Sequence, residues 1–239
     1  MQPVGKKAYY VCSPWVRAFH WIMVACMAVL FPTGLYIANP FFLGSLGVEP
    51  TYAVSNLFSM ENIRFFHFAA GYCLVAACIL KVYGFITNKG DRLLAKFWTP
   101  HFWTGAIDVF LHYIFLRPTH RPYIRNPLAR ATYWGVYCLI LAEIFTGFAM
   151  YSMIAPNSVS AKIFGGFGNE YALHLVHHFI AWLLILFAIV HVYLAIRDDC
   201  HAKNGEISSM VSGVKFFKED PVDVEDVIGL KYKKSIKKV

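Results

Sequence analysis

Charge is what this chain has little of. Only 15% of its 239 residues are Asp, Glu, Lys or Arg, against 58% hydrophobic. So few polar groups do not make a soluble domain, and the apolar residues come in long blocks, the pattern of a polytopic membrane protein. Cysteine motifs are missing too. Cys12, Cys26, Cys73, Cys78, Cys138 and Cys200 form no C-x-x-C-H for covalent haem and no C-x-x-C for zinc or redox work. Four of them fall in expected spans, where cysteine serves as a small soft hydrophobe. None lies in an expected outside loop, which argues against a structural disulfide. The first apolar block starts too deep and runs too long for a cleaved signal, and no small-residue cleavage site ends it, so it reads as a retained helix.

Basic residues are scarce in two loops, and that scarcity sets the topology. Four blocks are long enough to span a bilayer, at about 18–38, 65–87, 132–154 and 171–196. Lys6, Lys7 and Arg17 precede or open the first, seven Lys and Arg lie in 88–130, and nine follow from Arg197 onward. The loops around 39–64 and 155–170 hold one each, Arg64 and Lys162. The positive-inside rule then puts both termini in the cytoplasm, as expected for a multi-pass protein of a bacterial inner membrane. The net charge of +8 is therefore a topology signal and not a nucleic-acid footprint.

The expected fold is an all-α membrane protein, a four-transmembrane-helix bundle with left-handed, near-antiparallel packing. Residues 1–16 form a cytoplasmic arm, 17–200 the membrane domain, and 201–239 a basic tail that reads as flexible or packed on the inner membrane surface. Pro32-Thr33-Gly34 should bend the outer third of the first helix. Phe102 to Leu116 is apolar but short, and reads as a cytoplasmic helix lying at the interface. A fifth span there would spoil the charge bias. Arg117 to Pro127 is too rich in Pro to be helical throughout. The outside loop 39–63, with Gly44, Gly47 and Pro50, is a candidate partner surface, and Gly165, Gly166 and Gly168 loosen the second outside loop.

The last block carries four histidines, His174, His177, His178 and His191, with no charge between Tyr171 and Ile196. An imidazole in hydrocarbon is costly unless partnered, so such residues point to function. His177 and His191 are 14 residues apart, about 40° short of four helical turns and roughly 21 Å of rise, so both face one way at different depths. His20 opens the first helix and His67 the second, each preceded three residues earlier by an arginine, Arg17 and Arg64. An axial imidazole with a guanidinium one turn nearer the surface suits a b-type haem and its propionate. Depth pairs His67 with His177 toward the outer face and His20 with His191 toward the inner face. Two haems b are expected; a single haem held by two of the four is the lesser reading. Arg17, Arg64 and His174 are propionate candidates, whereas His178 points elsewhere and reads as structural.

Blander roles compete. Membrane histidines often form helix-to-helix hydrogen bonds, and Gly34, Gly71 and Gly147 either admit a flat macrocycle or merely pack helices. Thr146-Gly147 echoes Thr33-Gly34. Glu143, at mid-span, suits either proton uptake or an interhelical hydrogen bond. A non-redox metal transporter would also use histidines, but the Arg-x-x-His pairs would repel a cation.

With these residues in hand, the chain resembles the b-type cytochrome subunit of membrane-bound respiratory nickel–iron hydrogenases over about residues 10–200. The likeness rests on R-x-x-H-W at Arg17 to Trp21, R-x-x-H-F at Arg64 to Phe68, N-P-L-A at Asn126 to Ala129, and the spacing from His174 through His177, His178, Trp182 and Phe187 to His191. Leu175 and Ala18 depart mildly from the family pattern, and neither is a ligand position. The resemblance implies that His20, His67, His177 and His191 bind haem iron. It implies partners outside the membrane, the hydrogenase small and large subunits with iron–sulfur and nickel–iron centres, and a membrane quinone as electron acceptor. It implies a quinone site near the inner haem, for which Asn126 is the first candidate, with Tyr133, His112 and His120 behind it. An anchor for another quinone-linked enzyme, such as formate dehydrogenase, would look the same from within the membrane.

Overall fold

The computed structural model describes residues 5–39, 59–88, 96–164, 166 and 169–224. Within them the chain runs β1 (Lys7–Tyr10), α1 (Pro14–Ala38), α2 (Met60–Thr87), α3 (Pro100–Tyr113), α4 (Pro127–Ile154), α5 (Val159–Phe164), α6 (Glu170–Ala202), α7 (Glu206–Ser212) and β2 (Val214–Phe217). Four helices, α1, α2, α4 and α6, are long and apolar enough to cross a membrane. That is the expected set, and α1 runs on through Pro32. The proposed partner surface around Gly44, Gly47 and Pro50, together with Gly165, Gly168 and the lysine-rich end of the chain, lies outside the described residues.

Each spanning helix begins upstream of its apolar run, and the reason is visible at the start of each. Ser13, Ser59, Asn126 and Asn169 present side-chain oxygens to the backbone N–H groups of Val16 (3.3 Å), Asn62 (3.3 Å), Leu128 (2.9 Å) and Ala172 (2.7 Å). These N-caps satisfy donors that the first turn of a helix leaves orphaned. Pro14 and Pro127 follow two of the caps, at the one helical position where a missing N–H costs nothing. Apolarity marks the stretch in hydrocarbon; the helix itself starts at the polar cap.

The residues gather in two compact units. One comprises Ala18–Val82 and Ile140–Leu186. In it, rings of α1, α2, α4 and α6 meet edge to face: Phe31 with Trp182 at 5.3 Å, Phe68 with Tyr151 at 5.1 Å and Tyr72 with Phe148 at 5.7 Å between centroids. Phe164 of α5 stacks on Phe148. Aromatic edges meet across the helices here, the geometry such rings prefer.

The other unit comprises Met1–Arg17, Tyr83–Leu139 and Phe187–Val239. In it the described part of the tail, to residue 224, is ordered against the N-terminal arm and the stretch before α4. β2 pairs antiparallel with β1 in the register Lys7↔Phe217 to Tyr10↔Val214. Tyr9, Val11, Ile124 and Phe217 form a small buried core with Cys12 and Val224 against it. Asp223 accepts from the N–H groups of Ile124 (2.6 Å) and Arg125 (2.9 Å), so the tail also fastens the segment that precedes α4. Lys7 and the Tyr9 hydroxyl both bond Asp220; Lys7, then Tyr9, hold the Asp220 carboxyl below its ordinary value, and Tyr9 is pushed up to about 12 by burial and by Asp220. Two αL glycines, Gly205 and Gly213, bracket α7 and turn it into β2.

The strand pair has a topological corollary. Lys7–Tyr10 and Val214–Phe217 must lie on the same side of a membrane, so the chain between them crosses an even number of times. Four crossings satisfy this; a fifth through α3 would not. The segment expected as an interfacial helix over Phe102–Leu116 is helical from Pro100 to Tyr113, and ends where Phe115 takes a left-handed φ of 65°.

At Gly213, φ is +83° and an added Cβ would stand 2.7 Å from the Cys12 carbonyl oxygen. Gly213→Ala should therefore loosen the strand pair by about 1–2 kcal/mol. Limited proteolysis of the detergent-solubilised protein should show the tail cut several-fold faster, with the spanning helices resistant as before.

Candidate functional site

His67 on α2 and His177 on α6 face each other with ring centroids 6.5 Å apart. Both are half-buried. What fixes them is a pair of matching devices on the other two spanning helices. Thr33 of α1 lies 2.9 Å from His67 Nδ1, and Thr146 of α4 lies 2.8 Å from His177 Nδ1. Each threonine hydroxyl gives its own proton back along its helix, Thr33 to the Val29 carbonyl (2.7 Å) and Thr146 to the Ala142 carbonyl (2.8 Å). A hydroxyl has one proton, so toward the histidine it can only accept. Nδ1 of each ring is then the protonated nitrogen, and Nε2 keeps its lone pair. That is the tautomer a metal ligand needs.

The glycines after the threonines complete the cradle. A Cβ on Gly34 would come within 3.3 Å of His67 Cε1, and one on Gly147 within 3.5 Å of His177 Cε1. Glycine therefore admits the imidazole edge here, which sharpens the expectation that it admits a macrocycle. Nothing lies within 4 Å of a Cβ on Gly71, so that position faces open space. Glu143 adds an asymmetry: its carboxylate contacts His177 Nδ1, one helical turn before Thr146. Sequence reasoning had noted the Thr-Gly echo but not its purpose, which needs two helices to be seen side by side.

The separation suits a shared iron. At 6.5 Å between ring centroids, His67 and His177 would be the residues to hold a haem iron, which would supply one-electron transfer there. The donor set agrees, two imidazoles on facing helices, the kind of ligand that holds a haem iron. His178 is excluded from ligation by Trp182, whose indole N–H donates to His178 Nε2 at 3.0 Å. His174 is exposed, and its Nδ1–H donates to the Glu170 carbonyl at 2.9 Å. Arg64 is exposed near His67, while the guanidinium of Arg17 donates to the Val211 carbonyl.

His20 and His191 belong to different units and are described separately. The His20 ring meets Trp21 edge-on at 5.3 Å. His191 is stacked on Phe187 one turn earlier, at 5.5 Å and 16°, and Tyr133 of α4 meets it edge-on at 6.3 Å.

The remaining quinone candidates fall elsewhere. Asn126 spends its side-chain oxygen on capping α4 and donates Nδ2–H to the Tyr113 hydroxyl at 2.8 Å. The Tyr113 hydroxyl in turn donates to Asp198 at 2.6 Å. Burial first, then the Asp198 carboxylate, raises the Tyr113 phenol well above its usual value, so it stays a donor. His112 and His120 sit beside this chain of bonds with ring centroids 5.1 Å apart. Among the candidates, Tyr133 meets the ring of an expected haem ligand, His191, edge-on.

Comparison with known proteins gives the chain a family. Residues 11–213 match the family model described as prokaryotic cytochrome b561. A relative from Escherichia coli (strain K12), described as a probable Ni/Fe-hydrogenase 1 B-type cytochrome subunit, is 34% identical over 222 residues, 88% of this chain and 92% of its own. Relatives described as probable Ni/Fe-hydrogenase B-type cytochrome subunits from Rhizobium leguminosarum bv. viciae and Azotobacter vinelandii are each 34% identical, over 90% of this chain and 92% of theirs. Helices of membrane-spanning length are what such a protein needs, and this chain belongs to the prokaryotic cytochrome b561 family, a membrane b-type cytochrome.

Proposed function

We propose that the chain is the di-haem membrane anchor of a nickel–iron hydrogenase, passing electrons from the iron–sulfur clusters of its partner to the membrane quinone pool. The observation that carries this reading is the pair of threonine-fixed histidines, His67 and His177, opposed across the helices. Haem b, when bound, supplies one-electron transfer at a low-spin iron. The chain's part is to hold the iron on both faces, so that no substrate reaches it, and to keep water out with the aromatic contacts around α2 and α4.

In this reading His67 and His177 bind the haem nearer the partner, and His20 and His191 bind a second haem nearer the cytoplasm. The second pairing rests on the depth of the two residues in the sequence. Arg17, Arg64 and His174 serve as propionate partners. Tyr133, next to His191, becomes the first residue to test for quinone reduction, ahead of the capping Asn126. The positive-inside bias supports both termini in the cytoplasm, with the hydrogenase subunits on the periplasmic side. Electrons moving inward while quinone takes its protons from the cytoplasm would build a membrane potential; proton uptake from the periplasmic side would refute that step. The relatives' names favour a hydrogenase partner over another dehydrogenase.

Haem extracted from the purified protein should amount to two per chain, with a sharp low-spin α-band on reduction. One haem would leave one histidine pair without its role, and none in a folded preparation would overturn the reading. His67→Ala and His177→Ala should each remove one haem and block electron entry. His191→Ala should instead leave hydrogen-driven dye reduction by the partner intact while abolishing quinone reduction.

Thr33→Val takes away the acceptor for His67 Nδ1–H while keeping the shape of the side chain. It should weaken haem retention at that site by about 10–100-fold and shift its midpoint potential in a redox titration, with Thr33→Ser restoring both. An unchanged potential and unchanged retention would show that the hydroxyl only bonds its own helix.

A further inference from the structure

His112 ends α3, His120 lies in the turn that follows, and Asp198 is near the end of α6. All belong to one compact unit. Each offers a ligand atom, and these atoms lie within 4.8 Å of one another. We propose that His112, His120 and Asp198 bind a divalent transition-metal ion, with zinc as the best match. This site is distinct from the haem reading and stands or falls without it.

The tautomers are the first support. His112 Nδ1 lies 3.1 Å from the Arg117 carbonyl and His120 Nδ1 lies 2.7 Å from the Arg121 carbonyl. A carbonyl only accepts, so both Nδ1 atoms carry the proton and both Nε2 atoms keep a lone pair. Histidines that bind metals are held in this way, with the second nitrogen donating to a backbone carbonyl or carboxylate. Two adjacent imidazoles both fixed with Nε2 unprotonated have little reason to approach each other as hydrogen-bonding partners, since neither Nε2 can donate.

The carboxylate is prepared as well. Asp198 accepts from the Tyr113 hydroxyl through Oδ2, at 2.6 Å, and Tyr113 is itself oriented by Asn126. This is the outer-shell support expected behind a ligating carboxylate. His120 is further fixed by stacking on Tyr123 at 17°. The turn carrying it is anchored by Asp108, which accepts from the Arg121 N–H at 3.2 Å and pairs with Arg117. Burial raises the Asp108 carboxyl, but these Arg121 and Arg117 bonds outweigh it and hold the group below its ordinary value. The neighbouring cations are therefore engaged. Arg117 is paired with Asp108, and Arg197 lies over the Tyr113 and Phe115 rings while donating to the His112 carbonyl.

Two imidazoles and a carboxylate are borderline ligands that suit zinc and its neighbours in the first transition row better than magnesium or calcium. Tetrahedral zinc with bonds of about 2 Å spaces its ligands roughly 3.3–3.5 Å apart, so binding would draw this cluster in by about 1 Å. Three protein ligands leave a fourth position for water or another donor.

The test uses the full-length, haem-loaded protein in detergent, stripped with a chelator and titrated with zinc alone against a chromophoric competitor. One saturable zinc per chain is expected, with X-ray absorption at the zinc edge showing two imidazoles among nitrogen and oxygen donors. His120→Asn and Asp198→Asn, both at partly exposed positions, should each weaken binding at least 100-fold, and Tyr113→Phe about 10-fold, with the haem spectrum unchanged. His101→Gln, an exposed histidine outside the cluster, should leave zinc binding unchanged. Absence of a saturable site, or zinc bound as tightly by folded His120→Asn and Asp198→Asn as by the parent, would overturn the proposal.

Discussion

An imidazole placed among apolar helices must find an acceptor for its N–H, because no water is there to serve. That single requirement organises the middle of this protein. Side chains on facing helices supply the acceptor at close range, and a threonine hydroxyl accepts without bringing charge, joined at His177 by the Glu143 carboxylate. Its hydroxyl is self-sufficient in a helix, donating to the carbonyl four residues back, so it keeps an oxygen lone pair to offer outward. The following glycine then lets the ring come close. Thr33-Gly34 and Thr146-Gly147 are one solution used twice, on α1 for His67 and on α4 for His177. The cost of burying a polar ring thereby becomes control over which ring nitrogen carries the proton.

Much of this was legible in the sequence, and the limits have physical causes. Spans were legible because hydrophobic length is a local property. The histidines stood out because polar groups in apolar runs are rare. Their register was legible because helical geometry converts spacing into direction. The Thr-His contacts were not, since they join residues 34 and 31 positions apart through helix packing that no local pattern encodes. Asn126 carries a second role for a related reason. Its N-P-L-A setting singles it out, but an Asn before Pro at a helix start is also what a cap looks like, and the hydrogen bonds assign its oxygen to that task. The tail escaped because its strand is four residues long and its partner lies at the far end of the chain. Neither strand would be stable alone.

Polar side chains outside the apolar contacts divide into two kinds of work. Some close helix ends, as Ser13, Ser59, Asn126 and Asn169 do. Others hold the segments beyond the helices against one another, as Asp223 and Asp108 do by accepting backbone N–H groups from the stretch between α3 and α4. That stretch, rich in Pro and Arg, has no regular ladder of its own, so its backbone donors are met by carboxylates supplied from a helix and from the tail. An irregular segment is thus held in one conformation by long-range bonds.

The pairing of β1 with β2 also dictates an order of events in synthesis. The first strand leaves the ribosome at once, but its partner arrives only after all four spanning helices have been made. Until then Tyr9 and Val11 lack Phe217, and Ile124 lacks the neighbour that completes its shell. The strand pair and its small core can therefore close only after the spanning helices have been synthesised. A chain released early, before Phe217, would insert its helices yet leave an apolar strand edge open, a form that quality-control proteases can distinguish from the finished protein.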